Sequence, residues 1–121
     1  MPDSQAWGVR LERIGRAIVV APAGRFDAAE VQRLREVLES RQGAYESVVV
    51  DLRDVVDVGE PGLALLLEQQ AWAQEQGIDL AVVPGPAAQQ ALERIDAAGT
   101  LALVDDIESV LAPHRADFRA G

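Results

Sequence analysis

Residues 47–67, SVVVDLRDVVDVGEPGLALLL, decide the fold of this chain. The continuous valine run at 48–50 is typical of a strand that is covered on both faces. Pro61 suits the first turn of a helix, where its missing N–H group costs nothing, and a leucine-rich segment follows it. The stretch therefore predicts a buried strand, an acidic loop and a helix, and junctions of this kind often form the binding surface of α/β proteins.

The patterns on either side of this stretch predict the remaining elements. Alternation over residues 7–13 indicates a strand with one wet face, and an apolar run at 17–21 indicates a second, more buried strand after a turn at Gly15. Asp27 is placed to cap a helix over residues 28–40. The order β-β-α-β-α-β-α-β-α predicts an α/β fold, with a mixed sheet that has an antiparallel edge hairpin, a parallel centre and about four packed α-helices. The helix that begins at Pro61 is predicted to end near Gln76, before Gly77. The other predicted elements are a strand at 78–83, a helix at 87–97, an extended piece at 100–104 and a last helix that ends near residue 111.

Composition limits the partners and the chemistry of the chain. The net charge of −9 and the pI near 4.4 argue against DNA, RNA or an anionic membrane as the main partner, because all three favour clustered basic residues. The absence of cysteine excludes disulfides and thiolate metal sites. All basic residues are arginine, which suggests a GC-rich bacterial source. With neither a signal peptide nor a long apolar run expected, we predict a cytoplasmic protein with one domain at 7–112 and tails at 1–6 and 113–121.

Three motifs, in this order along the chain, resemble those of the STAS domain, the family of bacterial anti-sigma factor antagonists. Residues 24–27, GRFD, stand where the family has a Gly-x-Leu/Ile-Asp motif, and residues 48–52, VVVDL, match its central strand. Gly62 and Leu63 match the Gly-Leu pair that follows the family's phosphorylation motif. The resemblance covers about residues 7–112 and implies a STAS fold and a regulatory module that binds a protein partner.

The phosphorylation motif itself is degenerate in this chain. The family has Asp-Ser-Ser/Thr-Gly where this sequence has GEPG at 59–62, so the target hydroxyl of the family falls on Pro61, which has none. No serine or threonine occurs between Ser47 and Thr100. Glu60 has two interpretations: a carboxylate stabilised at a helix start by about 0.3–1 kcal/mol, or a poor mimic of permanent phosphorylation.

The leucine-rich helix predicts an interaction surface. If Leu63 and Leu66 face the sheet, Leu65 and Trp72 point away from it, and exposed apolar side chains of this kind often anchor interfaces. The alternative interpretation is that Trp72 is partly buried beside a neighbouring helix. The resemblance implies in addition that the start of this helix contacts the partner. The predicted partner-binding residues are Asp57, Gly59, Glu60, Pro61, Gly62, Leu65, Gln69, Trp72 and Gln76.

Neither a metal, a cofactor nor catalysis is expected. Acidic residues recur every third position from Asp51 to Glu60, but this spacing differs from that of a calcium loop and indicates a solvated acidic rim. His114 is too isolated to serve as a base for any hydroxyl nucleophile. We therefore predict a non-catalytic module that binds an anti-sigma kinase or another STAS-containing protein, with a homodimer as a further option. The alternatives are an accessory STAS subunit of a lipid-transport ABC system and a sensor of a small apolar ligand.

Overall fold

The computed structural model describes residues 9–26, 28–40, 44–94, 102–104 and 106–112. The predictions for Asp27 as a helix cap, for His114 and for the tails at 1–6 and 113–121 lie outside the described residues. The predicted α/β fold with its mixed sheet is confirmed. The elements are β1 (Val9–Ile14), β2 (Ala17–Pro22), β3 (Gly24–Phe26), α1 (Ala28–Ser40), β4 (Ser47–Asp51), β5 (Val55–Val58), α2 (Glu60–Gln76), β6 (Asp79–Val83) and α3 (Gly85–Arg94), followed by a short helix α4 at 108–112.

The main sheet has the strand order β1-β2-β4-β6. β1 runs antiparallel to β2, whereas β2, β4 and β6 are mutually parallel. Gly15, at φ 59°, lies in the two-residue turn that joins β1 to β2. The predicted edge hairpin and parallel centre are therefore both present.

Both faces of β4 are covered, as the valine run predicts. Val48 and Val50 belong to the larger apolar cluster, to which α1, α2 and α3 all contribute. Val49 belongs to a smaller cluster on the opposite face, where Leu111 of α4 packs. The alternation of side chains along one strand thus places three helices on one face of the sheet and α4 on the other.

Two short strands that the sequence does not predict form a second sheet. β3 pairs with β5 in parallel, with Phe26 opposite Val58. The sequence predicts that residues 24–26 lead directly into a helix and that residues 55–58 lie in the acidic loop, and both predictions are wrong, because both segments are strands. Strands of three and four residues are too short to show an alternating pattern, although Val55 and Val58 are buried. This second sheet brings the end of β3 beside the start of α2.

The exposure of β1 differs from the prediction of one wet face. All four residues from 10 to 13 are exposed, and Leu11 retains 40% of its accessible surface. β1 lies at the edge of the main sheet and pairs there with β2. The alternating pattern therefore predicts the strand correctly, but it does not predict which side chains are buried. In the part of the chain that the structure describes, no helix has both the length and the apolar character needed to cross a bilayer.

Candidate partner-binding site

The junction between β5 and α2 forms an exposed surface, which we call the α2 entrance (residues 56–62). Gly59 precedes the helix in an extended conformation, at φ −83° and ψ 173°. Its N–H group donates a hydrogen bond of 3.2 Å to the carbonyl oxygen of Phe26, at the end of β3. Its own carbonyl accepts the N–H groups of Gly62 and Leu63 at 3.0 and 3.2 Å. The backbone of the α2 entrance is therefore fixed to β3 on one side and to the first helical turn on the other.

The first turn of α2 rests directly on Phe26. A Cβ atom added to Gly62 would lie 2.7 Å from Cδ2 of Phe26 and 2.8 Å from its carbonyl oxygen. Phe26 itself is completely buried, so its ring has little room to move aside. Only glycine fits at position 62, and two motifs that are 36 positions apart in sequence (26 to 62) meet at this contact.

The exposed side chains of the α2 entrance are acidic and apolar. Asp57, Glu60 and Pro61 are exposed, and Asp57 lies 3.8 Å from Nε of Arg25 on β3. Both partners of this ion pair are largely solvated, so the pair adds little stability. Val56 retains 73% of its accessible surface. The sequence does not indicate the exposure of Val56, because its pattern predicts a loop at this position, where no side is distinguished as exposed.

The predicted outer face of α2 is wrong for two of its residues. Leu65 and Gln69 retain only 1% and 4% of their accessible surface. Trp72 is partly buried against the larger apolar cluster, which confirms the alternative interpretation for that residue. Gln76, at the end of the helix, is exposed. α2 packs on β6 and also against α1. Because it has two neighbours, a larger part of the helix surface is buried than the sheet alone would cover.

Gln69 lies in the apolar interior with an unused acceptor. Among the described residues, its Oε1 atom is enclosed and has no hydrogen-bond partner. An enclosed and unpaired polar atom costs about 1–3 kcal/mol. Replacing Gln69 with Met keeps the length of the side chain and removes the amide, so we expect the free energy of unfolding to rise by about 1–2 kcal/mol. Urea denaturation measures this change.

The control for this prediction is Gln74→Met, which makes the same change at an exposed position of α2. It should leave the free energy of unfolding within about 0.5 kcal/mol of the wild-type value. A loss of stability in Gln69→Met would mean that the amide has a favourable partner, in contradiction to its enclosed and unpaired position.

Asp51, the first carboxylate of the predicted acidic rim, is buried in an ion pair. It accepts bonds of 2.9 Å from both Nε and Nη2 of Arg53 and one of 3.1 Å from the Arg53 backbone. Desolvation raises the pKa of Asp51, but the bonds from Arg53 and the charges of Arg53 and Arg10 outweigh it, so the pKa lies below its ordinary 3.8. Asp51 therefore fixes the loop after β4, and Asp54, Asp57 and Glu60 are the exposed members of the series. Within the described ranges, no three potential ligands of the His, Cys, Asp or Glu type come together to hold a metal ion.

Solved structures of anti-sigma factor antagonists have the same fold. One from Mycobacterium paratuberculosis aligns with a TM-score of 0.68 and 23% sequence identity, over 88% of this chain and 92% of that chain. A putative antagonist from Thermotoga maritima aligns with a TM-score of 0.76 and 12% identity, over 88% and 94%. An RsbS variant from Moorella thermoacetica aligns with a TM-score of 0.71 and 20% identity, over 92% and 97%. At these identities the likeness shows a common fold.

The family comparison covers most of the chain. No curated protein matches the sequence. The family model described as "Mlab, STAS domain" matches residues 9–105, which include both sheets and the α2 entrance. The resemblance carried by the three motifs is thus confirmed, and the chain belongs to the STAS domain family.

Proposed function

We propose that the chain is a non-catalytic interaction module of the anti-sigma factor antagonist type, which binds a regulatory protein through the α2 entrance. The observation that supports this proposal best is the entrance itself, where Asp57, Glu60 and Pro61 are exposed on a backbone held by Phe26. A fixed backbone with exposed side chains lets a partner bind without first ordering a loop. The fold that carries this surface is the one seen in solved anti-sigma factor antagonists.

The surface contains no reactive side chain of the common nucleophilic types. The sequence of the α2 entrance, VDVGEPG, has no serine, threonine, cysteine, histidine or lysine. Its carboxylates lie on an exposed rim, where water competes for any substrate that they could bind. These features favour binding over catalysis.

The partner in this proposal is an anti-sigma kinase or another STAS-containing protein. Such a partner would not be released by phosphorylation at Pro61, because proline offers no hydroxyl. Asp57, Gly59, Glu60 and Pro61 are the proposed contact residues. The buried residues of the predicted set, Gly62, Leu65 and Gln69, would support this surface by positioning the helix. Trp72 and Gln76 lie towards the other end of α2. In this proposal they form the edge of the contact surface, farthest from the α2 entrance.

The test is the capture of partners from the native host by wild-type protein, by Glu60→Arg and by Glu75→Arg, with identification by mass spectrometry. Both variants reverse the same charge on an exposed position of α2, and the two positions are about 22 Å apart along the helix. We expect wild type and Glu75→Arg to recover the same sigma-regulating protein. Recovery by Glu60→Arg should fall at least about tenfold, because a reversed charge at the centre of a contact is strongly unfavourable.

Each other result would change the proposal in a defined way. If Glu60→Arg recovers the partner as well as wild type does, the α2 entrance is not the contact surface. If Glu75→Arg alone loses the partner, the contact lies at the Gln76 end of the helix. Recovery of an ABC ATPase or of its membrane subunit in place of a sigma regulator would favour the lipid-transport alternative.

A further inference from the structure

The outer edge of β1 carries backbone groups that face away from the sheet. In a hairpin with a two-residue turn, the residues next to the turn exchange hydrogen bonds, and every second pair after them does the same. Ile14 and Ala17 flank this turn, so Glu12 and Arg10 also bond to β2. The N–H and C=O groups of Val9, Leu11 and Arg13 therefore point to the open side. Among the described strands, none pairs with that side.

The side chains of β1 are exposed along this edge. Leu11 retains 40% of its accessible surface, and Arg10 and Glu12 on either side of it are exposed as well. Proteins usually protect an open edge with charged side chains or proline, and charges of one sign repel a second copy of the same edge. Here the charges that flank Leu11 have opposite signs. When two copies of β1 run antiparallel, the positive residue of each copy can therefore face the negative residue of the other.

We propose that β1 pairs antiparallel with β1 of a second copy of this chain, with Leu11 opposite Leu11 on the two-fold axis. In this register the outward backbone groups of Leu11 in the two copies bond to each other. Arg10 of each copy lies opposite Glu12 of the other, which gives two favourable cross-strand pairs. The two four-stranded sheets become one continuous eight-stranded sheet.

The neighbouring registers are unfavourable, because the charges oppose them. Within β1, more than one pair of outward residues can meet only if the two-fold axis passes through residue 10, 11 or 12. An axis at residue 10 places Arg10 opposite Arg10, and an axis at residue 12 places Glu12 opposite Glu12. Like charges directly opposite each other are destabilising. Leu11 is the one centre that pairs opposite charges and also brings two apolar side chains together.

The test is sedimentation velocity over protein concentrations that extend into the hundreds of micromolar range. One pair of short strands buries less than a standard interface, so we expect a weak and reversible dimer of wild type. Arg10→Glu alone and Glu12→Arg alone each place like charges opposite each other and should weaken self-association at least about tenfold. A mixture of these two variants restores both opposite-charge pairs and should dimerise as strongly as wild type. Arg94→Glu, on an exposed position of α3, is the control for the change in net charge and should dimerise normally.

The mixing step distinguishes this register from an interface elsewhere on the chain. A wild type that stays monomeric at every concentration would overturn the proposal. If the Leu11 amide of that monomer is also protected from hydrogen exchange, another part of the same chain covers the edge of β1. Dimers that persist equally in both single variants would place the interface away from β1. Single variants that are monomeric and fail to associate when mixed would also overturn it, because the pairing of Arg10 with Glu12 would then not hold the two copies together.

Discussion

Replacing Leu65 with Asp is expected to unfold the protein at room temperature. Leu65 retains 1% of its accessible surface and lies in the larger apolar cluster, and loss of a leucine side chain from such a site costs about 2–5 kcal/mol. A carboxylate in the same place adds the cost of burying an unpaired charge. Together these costs approach the roughly 5–15 kcal/mol that stabilises a typical domain. Circular dichroism during heating and urea denaturation measure the effect.

The matched control is Ala64→Asp, one position earlier on α2 and exposed. Near the positive start of the helix, an exposed carboxylate is tolerated or slightly favourable, so this variant should melt like wild type. A Leu65→Asp variant that folds normally and loses only partner binding would show that Leu65 faces the solvent, as the sequence pattern suggests and the structure contradicts.

Replacing Gly85 with Ala should destabilise the protein by about 2–5 kcal/mol. Gly85 begins α3 at φ 60°, which costs an L-residue about 1–2 kcal/mol. An added Cβ would also lie 2.7 Å from Cα of Arg53 and 2.8 Å from the carbonyl oxygen of Leu52. Both are backbone atoms, which cannot rotate away, so the chain must shift at a cost of about 1–3 kcal/mol. Urea denaturation gives the change in the free energy of unfolding.

Gly77→Ala provides the control, because it isolates the backbone strain. Gly77 ends α2 at φ 72°, but nothing lies within 4 Å of an added Cβ. This variant should lose only the cost of the backbone conformation, about 1–2 kcal/mol. Equal losses in the two variants would mean that α3 moves away from the loop after β4 at no cost, and that the close contact at Gly85 does not hold the two segments together.

The parts of the fold that the sequence predicts correctly have strong local signals. The valine run correctly predicts that β4 is covered on both faces, and Gly77 correctly predicts where α2 ends. The start of α3 is missed by two residues, because two prolines around Gly85 suggest a turn, whereas Pro86 fits the first helical turn. The small sheet of β3 and β5 has too few residues for a periodic signal.

The errors on α2 come from a sequence that supports several helical phases. Four leucines occur among the five residues at 63–67, so no single stripe is distinguished from its neighbours. Gln69 adds to the error, because a polar residue usually indicates an exposed position, whereas Gln69 is buried. The contact between Phe26 and Gly62 is tertiary, and a single sequence carries no record of which residues touch across the fold.

The hydrogen bond from Gly59 to Phe26 has a consequence for the speed of binding. It ties the α2 entrance to a buried residue, so a partner that docked there, as we propose, would meet a backbone that needs no prior ordering. Association is then governed by diffusion and by the orientation of the two proteins, without a slow opening step beforehand. How long such a complex lasts is set by its dissociation rate, and substitutions on the exposed rim would change the residence time of the partner more than its arrival.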